Sequence, residues 1–299
     1  MTFAPAGVTQ SAGLLTGSVE RIEGQDEAPP GATGVDGPAL ERVNRPLEVH
    51  FTPGVMFTRL VGEGRMAPAS HGPRIDFADS FDLGGGQAIP NFELTIRRDE
   101  TYDLMFGGSY FSSSGAGAFE GNAVFGPLEF RDGDGFRSEF RMTNAFMEFG
   151  YALRPLLVDT KNIREDGRPV ADLRLSPLAG MRYVDIDHRV EHEDNGRLDT
   201  GGEWVGVYGG VKLELTYRPE PLHVPWMEML DMHATVGVGR SLDSSPGYLW
   251  HVRSGVTWHI TEQAGVQLGY RLMDLDVDRG SYRFKGGLQG LFLGMSLRF

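Results

Sequence analysis

The run VDIDHRVEHED sets Asp185, Asp187 and His188 almost side by side. A spacing of two puts two carboxylates on one face of an extended chain, as shared-proton acid–base chemistry needs. The run DLDVD repeats the spacing with Asp274, Asp276 and Asp278. Carboxylates at strand ends also keep outer loops soluble, and a pair without a placed partner is a weak catalytic signal. Asp185, Asp187, Glu193, Asp194, Asn195 and Asp199 could gather around Ca²⁺ or another divalent ion. The EF-hand spacing is missing, so a solvated acidic loop is the plainer account. The eight histidines show no H-E-x-x-H spacing, and zinc has no support. His188 and His192 are expected in a loop, where their spacing carries no meaning. FDLGGGQ at 81–87 lacks the Lys-Ser/Thr of a phosphate loop and reads as a flexible outer loop. His251 and Ser254 fall on opposite parities of one stretch, which separates them as a pair. The chain has no cysteine, which excludes a thiolate nucleophile, thiolate metal sites and disulfides. These residues lead to no metal and no cofactor, and Asp185, Asp187 and His188 stay as weak catalytic candidates.

A second set is larger. Glu93, Arg137, Glu139, Arg141, Arg174, Arg182, Lys212, Glu214, Asp231, His233, Arg253 and Arg271 hold the polar parity of alternating segments. Both signs occur, often on neighbouring segments. Enclosed charges are tolerated only when paired, so inside a narrow lumen they would form a rigid plugging network. Passage of small solutes would need that network to leave a gap.

The elements that must position these residues are strands. From residue 47 the chain alternates with period two. Tyr248, Trp250, Val252, Val256, Trp258 and Ile260 share one face, while Leu249, His251, Arg253 and His259 share the other. The strands are read at 47–61, 89–98, 101–112, 135–150, 171–185, 203–218, 229–240, 248–260, 265–276 and 282–299. The count is about ten, with eight or twelve left open by segments 74–81 and 123–131. Within 135–151 the apolar face slips at Phe146 and Met147, and a bulge is expected there. Several strands are longer than the usual five or six residues of globular proteins and suit the about 9–11 residues of a tilted membrane strand. Aromatic residues gather near the strand ends, and glycine is frequent on the polar parity, where a small barrel is crowded. Connections at 62–88, 113–134 and 186–202 read as long outer loops. The fold class is all-β: a closed antiparallel up-and-down transmembrane β-barrel over 47–299, preceded by a flexible Pro/Gly-rich tail over 1–46.

Forty-one acidic residues against 28 basic ones give a net charge of −13, which argues against nucleic acid as a partner. No run of 18 apolar residues exists to form a membrane helix, and a barrel needs none. No signal peptide is visible, so a mature form with its leader removed is expected. Oligomeric state is not legible.

The closing GLFLGMSLRF resembles the last strand of bacterial outer-membrane β-barrel proteins, which ends in Phe after alternating apolar residues. Leu291, Leu293, Met295, Leu297 and Phe299 carry the match. TYDLMFGGSYF and FRSEFRMTNAFMEFGYAL resemble early strands of small barrels of that group. The resemblance implies a place in the outer membrane, with its lipid and lipopolysaccharide as surroundings. It also implies the barrel-assembly machinery as a transient partner that reads Leu293, Met295, Leu297 and Phe299. It brings no catalytic signature, so a structural or binding role, or small-solute passage, is the first reading. One alternative is an omptin-like protease, since ten-strand outer-membrane proteases use paired acidic residues and an Asp/His pair at the outer rim. The other is a soluble lipocalin-like barrel binding an apolar ligand, which would need the apolar parity inside.

Overall fold

Alternating side chains give ten long strands in the computed structural model, which describes residues 47–66, 75–98, 101–153, 155–158, 162–163, 169–219, 226–242 and 247–299. The expected tail over 1–46 lies outside the described residues. The strands are β1 (Glu48–Met66), β2 (Gln87–Arg98), β3 (Tyr102–Ala118), β4 (Gly135–Tyr151), β5 (Ala171–His192), β6 (Gly196–Tyr217), β7 (Met229–Ser241), β8 (Tyr248–His259), β9 (Ala264–Arg279) and β10 (Tyr282–Arg298). Each pairs antiparallel with the next, and β1 pairs with β10 to close the barrel. Eight and twelve strands are thereby excluded: the two further members of the sheet, Ile75–Asp76 and Leu157–Val158, are two-residue pieces on β1 and β5. An even strand number returns both ends of the barrel to one rim, where Val49 and Phe299 exchange backbone hydrogen bonds. This rim is the terminal end, and the opposite one is the far end.

Two expectations are corrected. The loop over 186–202 is strand: β5 runs to His192, β6 starts at Gly196, and only Glu193, Asp194 and Asn195 connect them. Gly196, at φ 95°, supplies the left-handed backbone that ends this turn, and His192 Nδ1 accepts from the N–H groups of Asp194 and Asn195. The bulge in β4 is absent, because its register runs unbroken against β3 and β5. Phe136, Ser138, Phe140, Met142, Asn144, Phe146 and Glu148 point inward along the whole strand. The change of face inferred from the sequence is a change of environment along one straight strand.

That change repeats around the barrel. In the terminal half the outward rows are apolar: Val55 and Phe57, Met147 and Phe149, Val211 and Leu213, Val256 and Trp258, Leu291 and Leu293. Inward rows there hold Glu93, Asp103, Arg182, Lys212, Arg253 and His259, all buried. Toward the far end the outward rows become charged, with Asp185, Asp187, Arg189 and Glu191 on β5, while the inward rows become Val184, Ile186, His188 and Val190.

The connecting segments complete the far-end core. Asp76 caps the single-turn helix Phe77–Ser80 by accepting from the N–H groups of Ala78 and Asp79 at 2.8 and 3.1 Å. This turn buries Phe77 and Phe81 against Phe140, Phe136 and Phe284 on the inner wall. A separate hairpin, Ala123–Phe125 with Leu128–Phe130, adds Phe125 and Phe130 to the same cluster. Fully burying each phenylalanine contributes about 1.5–3 kcal/mol. Beyond the two-residue piece Ile75–Asp76 on β1, the described parts of segments 74–81 and 123–131 are thus aromatic inserts rather than further barrel strands.

Candidate functional site

The inner wall of the terminal half is built by alternation on every strand, which aims each second side chain at the axis. On β2 and β3, Arg97 sits opposite Asp103 in register, and Arg97 Nε donates to Asp103 Oδ1 at 2.7 Å. Across the lumen β6 offers Lys212 and Glu214. Lys212 Nζ lies 2.5 Å from Asp103 Oδ2 and 3.0 Å from Glu214 Oε2, and Arg97 reaches Glu214 at 3.0 Å. Two cations and two carboxylates form a closed quartet that ties opposite walls together.

Deeper in, Arg253 Nη2 donates to Glu148 Oε1 at 2.5 Å and Arg271 Nη2 to Glu93 Oε1 at 2.8 Å. Tyr208 donates its hydroxyl to the other Glu148 oxygen at 3.1 Å. Nearer the terminal rim, Asp231 accepts from Thr216 and from His259 Nε2. Asp172 pairs with Arg174 at 3.1 Å and Arg218 at 3.0 Å. His233 lines a cavity of about 100 Å³ shared with His50, Arg97, Glu214 and His259.

Of the twelve residues assigned to the lumen, Glu93, Arg174, Arg182, Lys212, Glu214, Asp231, His233, Arg253 and Arg271 face the axis. Arg137, Glu139 and Arg141 do not. They share β4 with inward Phe136 and Phe140 and therefore lie on the outer wall, near the far end. There Arg141 pairs with Glu139, Arg189 reaches Asp199 at 2.7 Å and Glu139 at 3.5 Å, and Arg197 reaches Asp199 at 2.9 Å. These pairs are solvated and each is worth roughly 0–1 kcal/mol. Glu139 and Arg189, with Arg137 and Glu191, edge a shallow concavity of about 430 Å³. Arg97, Glu148 and Asp172 belong to the inner network and were not singled out as site residues. Their parity was the available signal, since Arg97 repeats the phase of Glu93 and Glu148 that of Phe146.

The acid–base candidates divide in the same way. Asp185 and Asp187 face outward, whereas His188 faces the far-end core and is fully buried. The wall lies between them, so no Asp/His pair forms. His188 sits among Phe77, Phe81, Phe125 and Phe140 at ring-centroid distances of 4.6–5.7 Å, with Ser138 Oγ 3.1 Å from its Nε2. Asp274 and Asp276 are also on the outer wall, taken by Trp250 Nε1 at 2.7 Å and Arg283 at 2.8 Å. At the far rim His192 Nε2 meets Asp134 Oδ2 at 3.0 Å. Its Nδ1 accepts from the turn N–H groups, so both ring nitrogens are engaged. The Arg131 N–H and the His192 imidazole hold the exposed Asp134 carboxyl below its usual range. Among the described residues no three carboxylates or imidazoles converge as metal ligands would.

At the closing strand, Leu293 and Met295 project outward, Leu297 is half-buried, and Phe299 is exposed at the rim.

No family model and no curated protein matches the chain. Similar solved structures exist. The outer membrane protease OmpT from Escherichia coli is 10% identical, with 86% of this chain and all of that one covered, at a TM-score of 0.47. The translocator domain of the autotransporter NalP from Neisseria meningitidis is 13% identical over 87% and 91% of the two chains, at 0.40. An outer membrane channel from Pseudomonas putida F1 is 12% identical over 85% and 95%, at 0.31.

Proposed function

We propose that the protein is an integral outer-membrane barrel whose far half stands clear of the bilayer and whose lumen is closed, so that it serves as a scaffold or binding surface rather than a pore. The observation that carries this reading is the simultaneous exchange of inner and outer character along the strands. Below the exchange the outer wall is predominantly apolar, as from Leu173 to Tyr183 on β5 and from Val205 to Tyr217 on β6. That is close to the about 9–11 residues with which a tilted strand crosses hydrocarbon. Tyr110, Tyr183, Tyr248 and Tyr270 stand outward where the apolar row ends, and Tyr102, Tyr151, Tyr217 and Trp258 stand outward near the terminal rim. Two such aromatic girdles mark the two interfaces of a bilayer.

Above the exchange the molecule is built like a water-soluble barrel, with charge outside and phenylalanine inside. A solute crossing the lumen would have to pass the charge quartet and then part the aromatic cluster. The terminal rim faces the periplasm in this reading, and Leu293, Met295, Leu297 and Phe299 serve as the assembly signal. In this reading the outward cations Arg59 and Arg141 stand near the level of lipopolysaccharide phosphates. A lipocalin-like alternative would need Val256 and Trp258 inside, the reverse of their outward position.

The test combines extraction and conductance. The folded chain should require detergent, migrate anomalously on gels until heated, and give no conductance steps in planar bilayers. Recovery as a folded monomer without detergent would overturn the membrane reading, and discrete steps would overturn the closed lumen.

A further inference from the structure

Three arginines from three strands, Arg182 on β5, Arg253 on β8 and Arg271 on β9, converge on one cavity of about 40 Å³ in the middle of the lumen, which Asn91, Asn144 and His251 also line. Two carboxylates answer them. Glu148 binds Arg253, and Glu93 binds Arg271 while lying 3.6 Å from Arg253. Arg182 meets no carboxylate within ion-pair distance among the described residues. Its Nη1 contacts Asn144 Oδ1 and Met273 Sδ, both at 2.9 Å, and its guanidinium lies 5.2 Å from the Phe146 ring and 5.8 Å from the Tyr208 ring. The neighbouring quartet of Arg97, Lys212, Asp103 and Glu214 is balanced in itself and supplies no spare anion.

The cluster therefore carries three fixed positive charges against two negative ones. An arginine does not shed its proton to relieve this, and an unpaired buried charge is costly. The unused polar atoms have the matching sense. Arg182 Nε and Asn91 Nδ2 are buried donors with no acceptor, and the His251 ring makes no hydrogen bond, its Nε2 lying 3.8 Å from Glu148 Oε2. Every Arg182 contact is neutral, while the nearby carboxylate oxygens are engaged by Arg253, Arg271 and Tyr208.

We infer that this cavity is a binding site for one small monovalent anion, a halide such as chloride, held by Arg182 Nε and Asn91 Nδ2. One negative charge brings the cluster to neutrality; a divalent anion would overshoot it. The volume takes a few water-sized groups, which excludes sugars, phosphate esters and dicarboxylates. The inference needs only a closed polar interior and stands whether or not lipid covers the outer wall.

The full chain, crystallised in bromide, should show an anomalous peak in contact with Arg182 Nε and Asn91 Nδ2. Its heat-unfolding midpoint should be several degrees higher in potassium chloride or bromide than in potassium gluconate of equal ionic strength, because screening is matched and only the small anions fit. Arg182→Met should abolish both the peak and the halide difference. If that variant does not fold, the two wild-type measurements decide alone. Ordered water in place of bromide, equal midpoints in the three salts, or a full peak persisting in Arg182→Met would each overturn the assignment.

Discussion

His188 shows how much depends on which side of the wall a residue occupies. It lies beyond the apolar outer stretch, which ends on its strand at Tyr183. Burial among phenylalanine rings pushes its pKa down from 6.5 to about 3. The unfolded chain therefore binds a proton in a range where the folded protein does not. Stability from this site is complete above about pH 6.5 and falls by about 1.4 kcal/mol per pH unit as the pH drops toward 3. In denaturant unfolding from pH 7 to 4, His188→Phe should flatten that slope relative to wild type. An unchanged slope would remove His188 from the neutral core. Charged residues should divide equally sharply. Glu148→Gln takes from the buried Arg253 its closer carboxylate and should cost about 3–5 kcal/mol, the usual penalty for breaking a buried ion pair. Arg137→Ala, on the solvated outer wall, should stay within about 0.5 kcal/mol. Equal costs for the two would contradict their placement.

At the scale of the element, β4 explains both what was legible and what was not. Period two revealed the strand and its companions, because alternation survives wherever one face is wet and the other dry. It did not reveal which face is dry at each height. Arg137, Glu139 and Arg141 are expected in the lumen because they alternate with apolar Phe136, Phe140 and Met142, and charge marks the lumenal parity in the terminal half. In the far half the same parity rule holds with its meaning reversed, and no local signal marks the crossover. The alternation in VDIDHRVEH was complete, with Val184, Ile186, His188 and Val190 against Asp185, Asp187 and Arg189. Its charge density disguised it as a loop. The four-residue helix and the short hairpin were beyond reach because their order comes from phenylalanines meeting across the barrel. Reversal along β4 can be measured directly. Met147→Arg should destabilise the barrel in lipid vesicles by about 2–4 kcal/mol, as charge does at hydrocarbon depth, whereas Thr143→Arg near the crossover should cost about 0–1 kcal/mol. Similar penalties at both positions would rule out a depth gradient along the strand.

For the whole molecule, two cores stacked on one axis divide the work. The lower core links opposite walls by paired charge, as an enclosed polar interior must. The upper core is closed by rings from the wall and from both inserted segments. Phe81 touches rings from Phe77, Phe119, Phe125, Phe130 and Phe136, so Phe81→Ala should loosen the closure as a unit, costing about 3–5 kcal/mol in unfolding experiments. A loss below about 1 kcal/mol would show that the inserts are not part of the core.

The chain contains no cysteine, so single cysteines can be placed on it without background. Val236→Cys on the apolar rows and Arg189→Cys on the charged collar, each carrying a nitroxide in lipid vesicles, report depth directly. The label at 236 should relax with oxygen dissolved in the hydrocarbon and resist a water-soluble nickel chelate, and the label at 189 should do the opposite. Equal access of the chelate to both positions would contradict the lipid-facing wall.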